Sequence, residues 1–351
     1  MIQRKKTRMV RVGRVKVGGG APVSIQSMTK VETSNVSKVV SQIRKLKNAG
    51  CDIVRVAVKT AEDAEAIRSI KRKIDIPIVC DIHFDHRIAL KCIENGADKI
   101  RLNPGNIHNR EEIAQIIKAA KRARIPIRIG VNSGSVSTNH ESRTTNDENA
   151  FIESALRYVK LFEELDFRDI IISLKASDVA KTVKAYRDIS GLCDYPLHLG
   201  VTASGPYDIG IVKSSIGIGA LLLDGIGDTI RVSLTADPVE EVIAAKRILS
   251  SLSLRKFGPQ ILSCPTCGRC QVDLVGIVNK VEKAVSKYQS IKVSKPLSVA
   301  IMGCEVNGPG EAKEADIGIA FGKGSGMLFK KGKIVKKVST GNAIKEILNL
   351  L

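Results

Sequence analysis

The chain has 351 residues and a formal charge of +20 at neutral pH, with 43% hydrophobic and 26% charged residues. These are globular values for a chain long enough to build a large and a small domain, and no apolar run approaches the roughly 18 residues of a membrane span. The positive charge implies an anionic partner; aromatics of only 3% and the absence of tryptophan count against nucleic acid, a phosphorylated substrate or an acidic protein fits equally well, and a solvated basic surface explains most of the charges.

Residues 1–8 are basic and no apolar segment follows them, so no secretory signal is read and a cytoplasmic location is expected. In that compartment the eight cysteines are expected as reduced core thiols or metal ligands rather than disulfides. Residues 8–22 predict a hairpin that plugs the bottom of a barrel. Eight Val- and Ile-rich runs then alternate with helical stretches, at 24–29, 53–58, 77–82, 99–103, 126–131, 169–175, 196–202 and 229–235. The first intervening helix shows its period in Val36, Val39, Val40, Ile43 and Leu46, with Ser34 as its cap. Eight evenly spaced strand–helix units predict an α/β fold, a (β/α)8 TIM barrel over residues 1–250, ahead of a doubly wound sheet.

Ser250, Ser251, Ser253, Gly258 and Pro259 mark a linker. Residues 258–351 then predict a small α+β domain. Its elements are a strand to Ser263, a cysteine turn, a helix over 271–288, a strand at 297–302 and a second cysteine turn. A strand at 316–321, a hairpin around Lys330-Lys331-Gly332-Lys333 and a helix near 341–351 complete it.

Barrel enzymes work at the carboxyl ends of their strands. There the sequence places Arg55, Asp81, His83, Arg101, Arg128, Asn132, Lys175, His198, Thr202, Arg231 and Ser233. Barrel interiors are normally aliphatic, and isolated buried cations are costly. Arg55, Arg101, Arg128, Lys175 and Arg231 within apolar runs therefore predict an anion site suited to a diphosphate, with the Asn132-Ser133-Gly134-Ser135 turn adding donors. The competing reading pairs these cations with strand-end acids, chiefly Asp81, Asp169 and Asp228. His83 and His198 are read as core histidines as readily as catalysts, and Cys51, Cys80, Cys92 and Cys193 as plain core.

In the small domain Cys264-Pro265-Thr266-Cys267 and Cys304 occupy two glycine-rich turns, with Glu311 close behind the third thiol. A CxxC pair brings two thiolates to one metal, and the third closes the set if the chain folds back. Structural zinc would need a fourth ligand, for which Cys270 is available. Three thiolates and an exchangeable oxygen ligand suit a [4Fe–4S] cluster.

Together these motifs resemble the 4-hydroxy-3-methylbut-2-enyl diphosphate synthases, reductive enzymes of the methylerythritol phosphate route to isoprenoids. The resemblance rests on Asp81-Ile82-His83-Phe84-Asp85, Arg101 to Asn106, Arg128 to Asn132, Lys175-Ala176-Ser177-Asp178 and His198-Leu199-Gly200-Val201-Thr202. It continues in the Gly225 to Leu234 run, Cys264-Pro265-Thr266-Cys267-Gly268-Arg269 and Asn307-Gly308-Pro309-Gly310-Glu311. It implies a [4Fe–4S] cluster on Cys264, Cys267, Cys304 and Glu311. The implied substrate is 2-C-methyl-D-erythritol 2,4-cyclodiphosphate, held by Arg55, Arg101, Arg128, Asn132, Lys175, Arg231 and Ser233. It further implies a catalytic role for Glu311, two electrons from flavodoxin or ferredoxin, and a head-to-tail homodimer; Asp81, His83 or water is expected to handle the proton that the family assigns to an acidic residue this chain lacks at position 203. The surviving alternative is a zinc-stapled barrel enzyme acting on another phosphorylated small molecule. Two residues depart from the family pattern. Ala203 stands where an acidic residue usually follows the threonine, and Cys270 is a thiol the family does not require.

Overall fold

The computed structural model describes residues 2–132, 147–285 and 297–350. The chain divides into two compact units, Met1–Arg255 and Lys256–Leu351.

The first unit opens with a hairpin, β1 (Val10–Val12) and β2 (Val15–Val17). Val10, Val12 and Val17 pack on Ile53, Val79 and Ile171 near the amino ends of the barrel strands, which makes the hairpin a plug. The barrel strands are β3 (Ser24–Met28), β4 (Ile53–Val58), β5 (Ile78–Ile82), β6 (Lys99–Leu102), β7 (Ile127–Asn132), β8 (Ile170–Lys175), β9 (His198–Leu199) and β10 (Thr229–Ile230). They form one parallel sheet in the order β8-β7-β6-β5-β4-β3-β10-β9, and a bridge between Ile172 and Leu197 brings its ends together. The fold is thus a nearly closed eight-stranded barrel ringed by helices, as the repeats predict.

The last two strands are much shorter than the runs at 196–202 and 229–235. Gly200 explains the first of these: a Cβ there would lie 2.5 Å from both Lys175 Nζ and the Arg231 carbonyl, so the chain leaves the ladder to let Lys175 approach. Single bonds, such as Arg231 N–H to the Leu199 carbonyl (3.0 Å), carry the pairing onward. The first helix, α1 (Val36–Ala49), is capped by Asn35 rather than Ser34, because the Asn35 carboxamide accepts from Lys38 N–H. It buries Val39, Val40, Ile43 and Leu46 as its period predicts. The remaining barrel helices are α2 (Ala61–Lys71), α3 (His86–Glu94), α4 (Arg110–Ala123), α5 (Asp147–Glu164), α6 (Val179–Leu192), α7 (Tyr207–Leu223) and α8 (Pro238–Ser251).

The second unit is a five-stranded mixed sheet ordered β11 (Gln260–Ser263), β12 (Ser298–Met302), β13 (Ile317–Gly322), β14 (Ser325–Lys330) and β15 (Lys333–Ser339). Helices α9 (Leu274–Val285) and α11 (Ala343–Leu350) cover one face over Val299, Ile301, Ile319 and Leu328. The short α10 (Gly308–Glu314) packs its Ala312 against the small residues Ala300 and Ala320 with Phe329. Helix α9 begins later than residue 271 because Asp273 accepts from Gly276 N–H and fixes the start; residues 286–288 of the expected helix lie outside the described residues. The Asn307-Gly308-Pro309-Gly310 segment, expected as a turn, is the first turn of α10, with proline at its start. Among the described residues, no helix is long and apolar enough to cross a membrane.

Candidate functional site

The carboxyl ends of the barrel strands surround a cavity of about 570 Å³. Arg55, Asp81, His83, Arg101, Arg128, Asn132, Lys175, Arg231 and Ser233 all line it. Parallel register explains the convergence: Arg55 lies beside Val79 and Asp81 beside Arg101, which in turn lies beside Arg128.

The acids inside are few and already engaged. Asp81 meets Arg101 Nη1 at 3.2 Å and Arg55 Nε at 3.7 Å. Burial works against its ionisation, but Arg55, Arg101 and Arg128 outweigh that and hold the carboxyl at about 2. Asp81 is therefore an anion that orients two guanidinium groups, and near neutral pH it can accept a proton rather than donate one. Arg101 also donates to the Gly130 carbonyl at 2.9 Å. Gly130 is required there, because a Cβ would stand 2.6 Å from Arg101 Nε.

Asp169 and Asp228, named as possible counterions, sit at the opposite end of the barrel. Asp169 is exposed, and Asp228 is bound by Arg4 at 2.9 Å. The counterion that sequence patterning missed is Glu241 of α8. It is buried, meets Arg231 Nη2 at 3.4 Å and Lys30 Nζ at 3.2 Å, and accepts from Leu234 N–H and Ser27 Oγ. It was illegible because it reads as an ordinary polar position in the first turn of a helix.

The cations outnumber these acids. Arg128 is 1% exposed, and its Nε and Nη1 find no partner among the described residues. Burial, then Arg55 and Arg101, push its guanidinium well below the usual value. Burial followed by Arg128, Arg231 and other neighbouring arginines does the same to the Lys175 ammonium. Burial brings Arg55 down to about 10, against the pull of Asp81. Lys99, a further buried cation that the sequence reading did not select, lies deeper, with Nζ 3.4 Å from Gln26 Oε1. A polar cavity with this surplus of converging donors is built for a multiply charged anion.

His83 lines the cavity with its Nδ1 buried and without a partner among the described residues. His198 does not line it. It is fully buried against Thr229 Oγ1 (3.3 Å), and burial, then Lys175, holds it neutral as a core residue. Cys51, Cys80 and Cys92 are buried, whereas Cys193 is only half-buried. Thr202 lines the cavity; Ala203 is exposed beyond it, in the left-handed backbone region (φ 49°). Residues 133–135, expected to add donors, lie outside the described residues.

In the second unit, Cys264 and Cys304 follow β11 and β12, which are parallel neighbours. Their turns are tied together: Gly303 N–H donates to Cys264 Sγ at 3.4 Å, and Gln271 N–H donates to the Gly303 carbonyl at 2.9 Å. The Val306 N–H, with Asn307 N–H and Arg269 in support, lowers the Cys304 thiol from its ordinary value and favours the thiolate, the form that binds metal. Cys267 is exposed, and Glu311 is exposed in the first turn of α10. Cys270 is half-buried like Cys264, and both pack against the hydrophobic core; Cys270 Sγ lies 3.3 Å from the Val272 carbonyl. No three His, Cys, Asp or Glu side chains among the described residues are gathered around a common metal position. The donor set of three thiols on adjoining turns, one biased to thiolate, nevertheless fits a thiolate-bound metal centre in its chemistry.

Comparison with known proteins bears on the whole chain. A 4-hydroxy-3-methylbut-2-en-1-yl diphosphate synthase (flavodoxin) from Clostridium perfringens is 53% identical over 353 residues, covering 100% of this chain and 99% of that protein. The enzyme of that name from Caldanaerobacter subterraneus is 53% identical over 348 residues, covering 98% and 96%. Among solved structures, dihydropteroate synthase from Yersinia pestis superposes with a TM-score of 0.51 over 71% of this chain and 100% of that one. At 12% identity it shows the barrel fold alone. Residues 7–246 match the GcpE TIM-barrel domain and residues 260–351 the GcpE protein C-terminal domain. The chain belongs to the GcpE family.

Proposed function

We propose that this chain catalyses the reductive ring opening and dehydroxylation of 2-C-methyl-D-erythritol 2,4-cyclodiphosphate to 4-hydroxy-3-methylbut-2-enyl diphosphate. The reaction takes up two electrons and two protons and releases one water. Flavodoxin is the electron donor that the relatives' names support, and ferredoxin is the related candidate. The observation that carries the substrate reading is the surplus of cations at the barrel mouth, with two buried Arg128 donor nitrogens that have no partner among the described residues.

Arg55, Arg101, Arg128, Lys175 and Arg231 would bind the phosphates, and Asn132 and Ser233 would orient them. Asp81 and Glu241 keep Arg55, Arg101 and Arg231 aimed at the cavity. With Asp81 ionised, His83 is the cavity side chain suited to passing a proton, with water as the other carrier. Cys264, Cys267, Cys304 and Glu311 would hold a [4Fe–4S] cluster, with Cys270 outside the ligand set. Such a cluster, when bound, supplies single electrons at low potential. A homodimer belongs to the same proposal, and sedimentation tests it.

The experiment is anaerobic incubation of the purified protein with the cyclic diphosphate and reduced flavodoxin, following the product by mass spectrometry. Product formation supports the assignment. A colourless, zinc-containing protein that forms no product overturns it.

A further inference from the structure

The second unit carries a basic groove that the substrate chemistry does not use. It lies between α10 and strands β14 and β15, with a volume of about 450 Å³. Gly322, Met327 and Phe329 line its floor, and the exposed Ile334 stands at its side. Lys313 of α10, Lys323 of the β13–β14 turn and Lys337 of β15 surround it from three separate elements. Its one acidic residue is Glu305, the neighbour of Cys304. A Cβ on Gly322 would lie 3.0 Å from Glu305 Oε2, so the groove reaches the Cys304 turn itself.

We infer that this groove is the docking site of an acidic, protein-borne electron carrier, an inference that rests on the flavodoxin-linked reading above. Residues 323–337 hold six lysines and no acidic residue. Lysines on the edge strand β15 can be explained as a guard against strand pairing, and Lys336 is paired with Glu346 at 2.6 Å. That explanation does not reach Lys313 or Lys323, which lie on other elements and converge on the same groove. Nucleic acid fits poorly, because Phe329 is buried and offers no stacking face. An acidic carrier matches the lysines, places its apolar surface on the groove floor, and comes to rest against the turn that bears a proposed cluster ligand.

The test compares the full-length, anaerobically reconstituted protein with its Lys323→Glu/Lys337→Glu double variant. Product formation is measured with purified flavodoxin and, separately, with dithionite as a small chemical reductant. The inference expects the KM for flavodoxin to rise about tenfold or more and its salt dependence to flatten. The dithionite-driven rate should hold, and Lys323→Arg/Lys337→Arg should behave as wild type. Unchanged flavodoxin kinetics in the charge-reversed variant, with or without an altered oligomeric state, overturns the docking site and leaves the activity standing. Equal losses with both reductants also overturn it, since the lesion then lies in the redox centre. Wild-type protein that turns over with dithionite but not with flavodoxin overturns the donor assignment and this site with it.

Discussion

Replacing Arg128 with methionine should stabilise the unliganded barrel and weaken substrate binding. Arg128 is 1% exposed, two of its donor nitrogens lack partners among the described residues, and Asp81 is already engaged by Arg55 and Arg101. Exchanging buried ionic groups for a well-packed apolar side chain is often stabilising, by about 1–4 kcal/mol. A unit of this size gains roughly 2–4 °C in Tm per kcal/mol, so the unliganded variant should melt several degrees higher. Removing a charge-assisted phosphate contact should cost about 1.5–3 kcal/mol of binding, or roughly 10- to 150-fold in Kd. Differential scanning calorimetry reads the first effect, and isothermal titration with the cyclic diphosphate reads the second. A variant that melts lower without ligand and binds substrate as tightly as wild type would refute the assignment of Arg128 as an anion receptor held ready in the empty cavity.

Other expectations concern pH, the thiols and the departure at position 203. Burial keeps Lys175 well below its ordinary value, so the unfolded chain holds that proton more readily; this group's unfavourable contribution is therefore greatest below its folded pKa and fades as pH rises toward about 10. Pyrophosphate, which compensates the charge, should raise Tm more at pH 7 than at pH 10. Asp81 behaves oppositely: its stabilisation is full above its ordinary 3.8 and is lost as pH falls through about 2, visible as an acid-melting step that Asp81→Asn removes. Cys264→Ser, Cys267→Ser and Cys304→Ser should each lose iron and sulfide, whereas Cys270→Ser should keep both, because Glu311 is the proposed fourth ligand; cluster loss in Cys270→Ser would overturn the ligand set. Ala203→Glu should raise turnover, with a ceiling of about 10²–10⁴-fold if proton delivery limits the rate, and a slower enzyme would mean that the pocket uses another proton route.

Much of the barrel could be read from periodicity, because Val39, Val40, Ile43 and Leu46 repeat at helical spacing and the strands are continuous apolar runs. The cavity cations stood out for the complementary reason: Arg101 and Arg128 interrupt runs that should be aliphatic. The two short strands were less legible, since Gly200 leaves the ladder to admit Lys175, a tertiary contact that no local pattern encodes. Glu241 was hidden because a buried acid in the first turn of a helix looks like any solvated one. Asp81 was visible as a site residue, but its ionisation follows from Arg55, Arg101 and Arg128 arriving from three other strands. In the second unit the thiols were evident from spacing. Their burial was not, since Cys264 and Cys270 are both half-buried against the same core while Cys267 is exposed.

The most direct measurement is single-turnover reduction by the anaerobically purified protein, combining the visible absorption of the enzyme with product analysis. A brown protein absorbing near ~400 nm that bleaches on reduction and then recovers its colour as the cyclic diphosphate becomes 4-hydroxy-3-methylbut-2-enyl diphosphate is the predicted result. A protein that binds the cyclic diphosphate yet stays bleached and releases it unchanged would contradict the account.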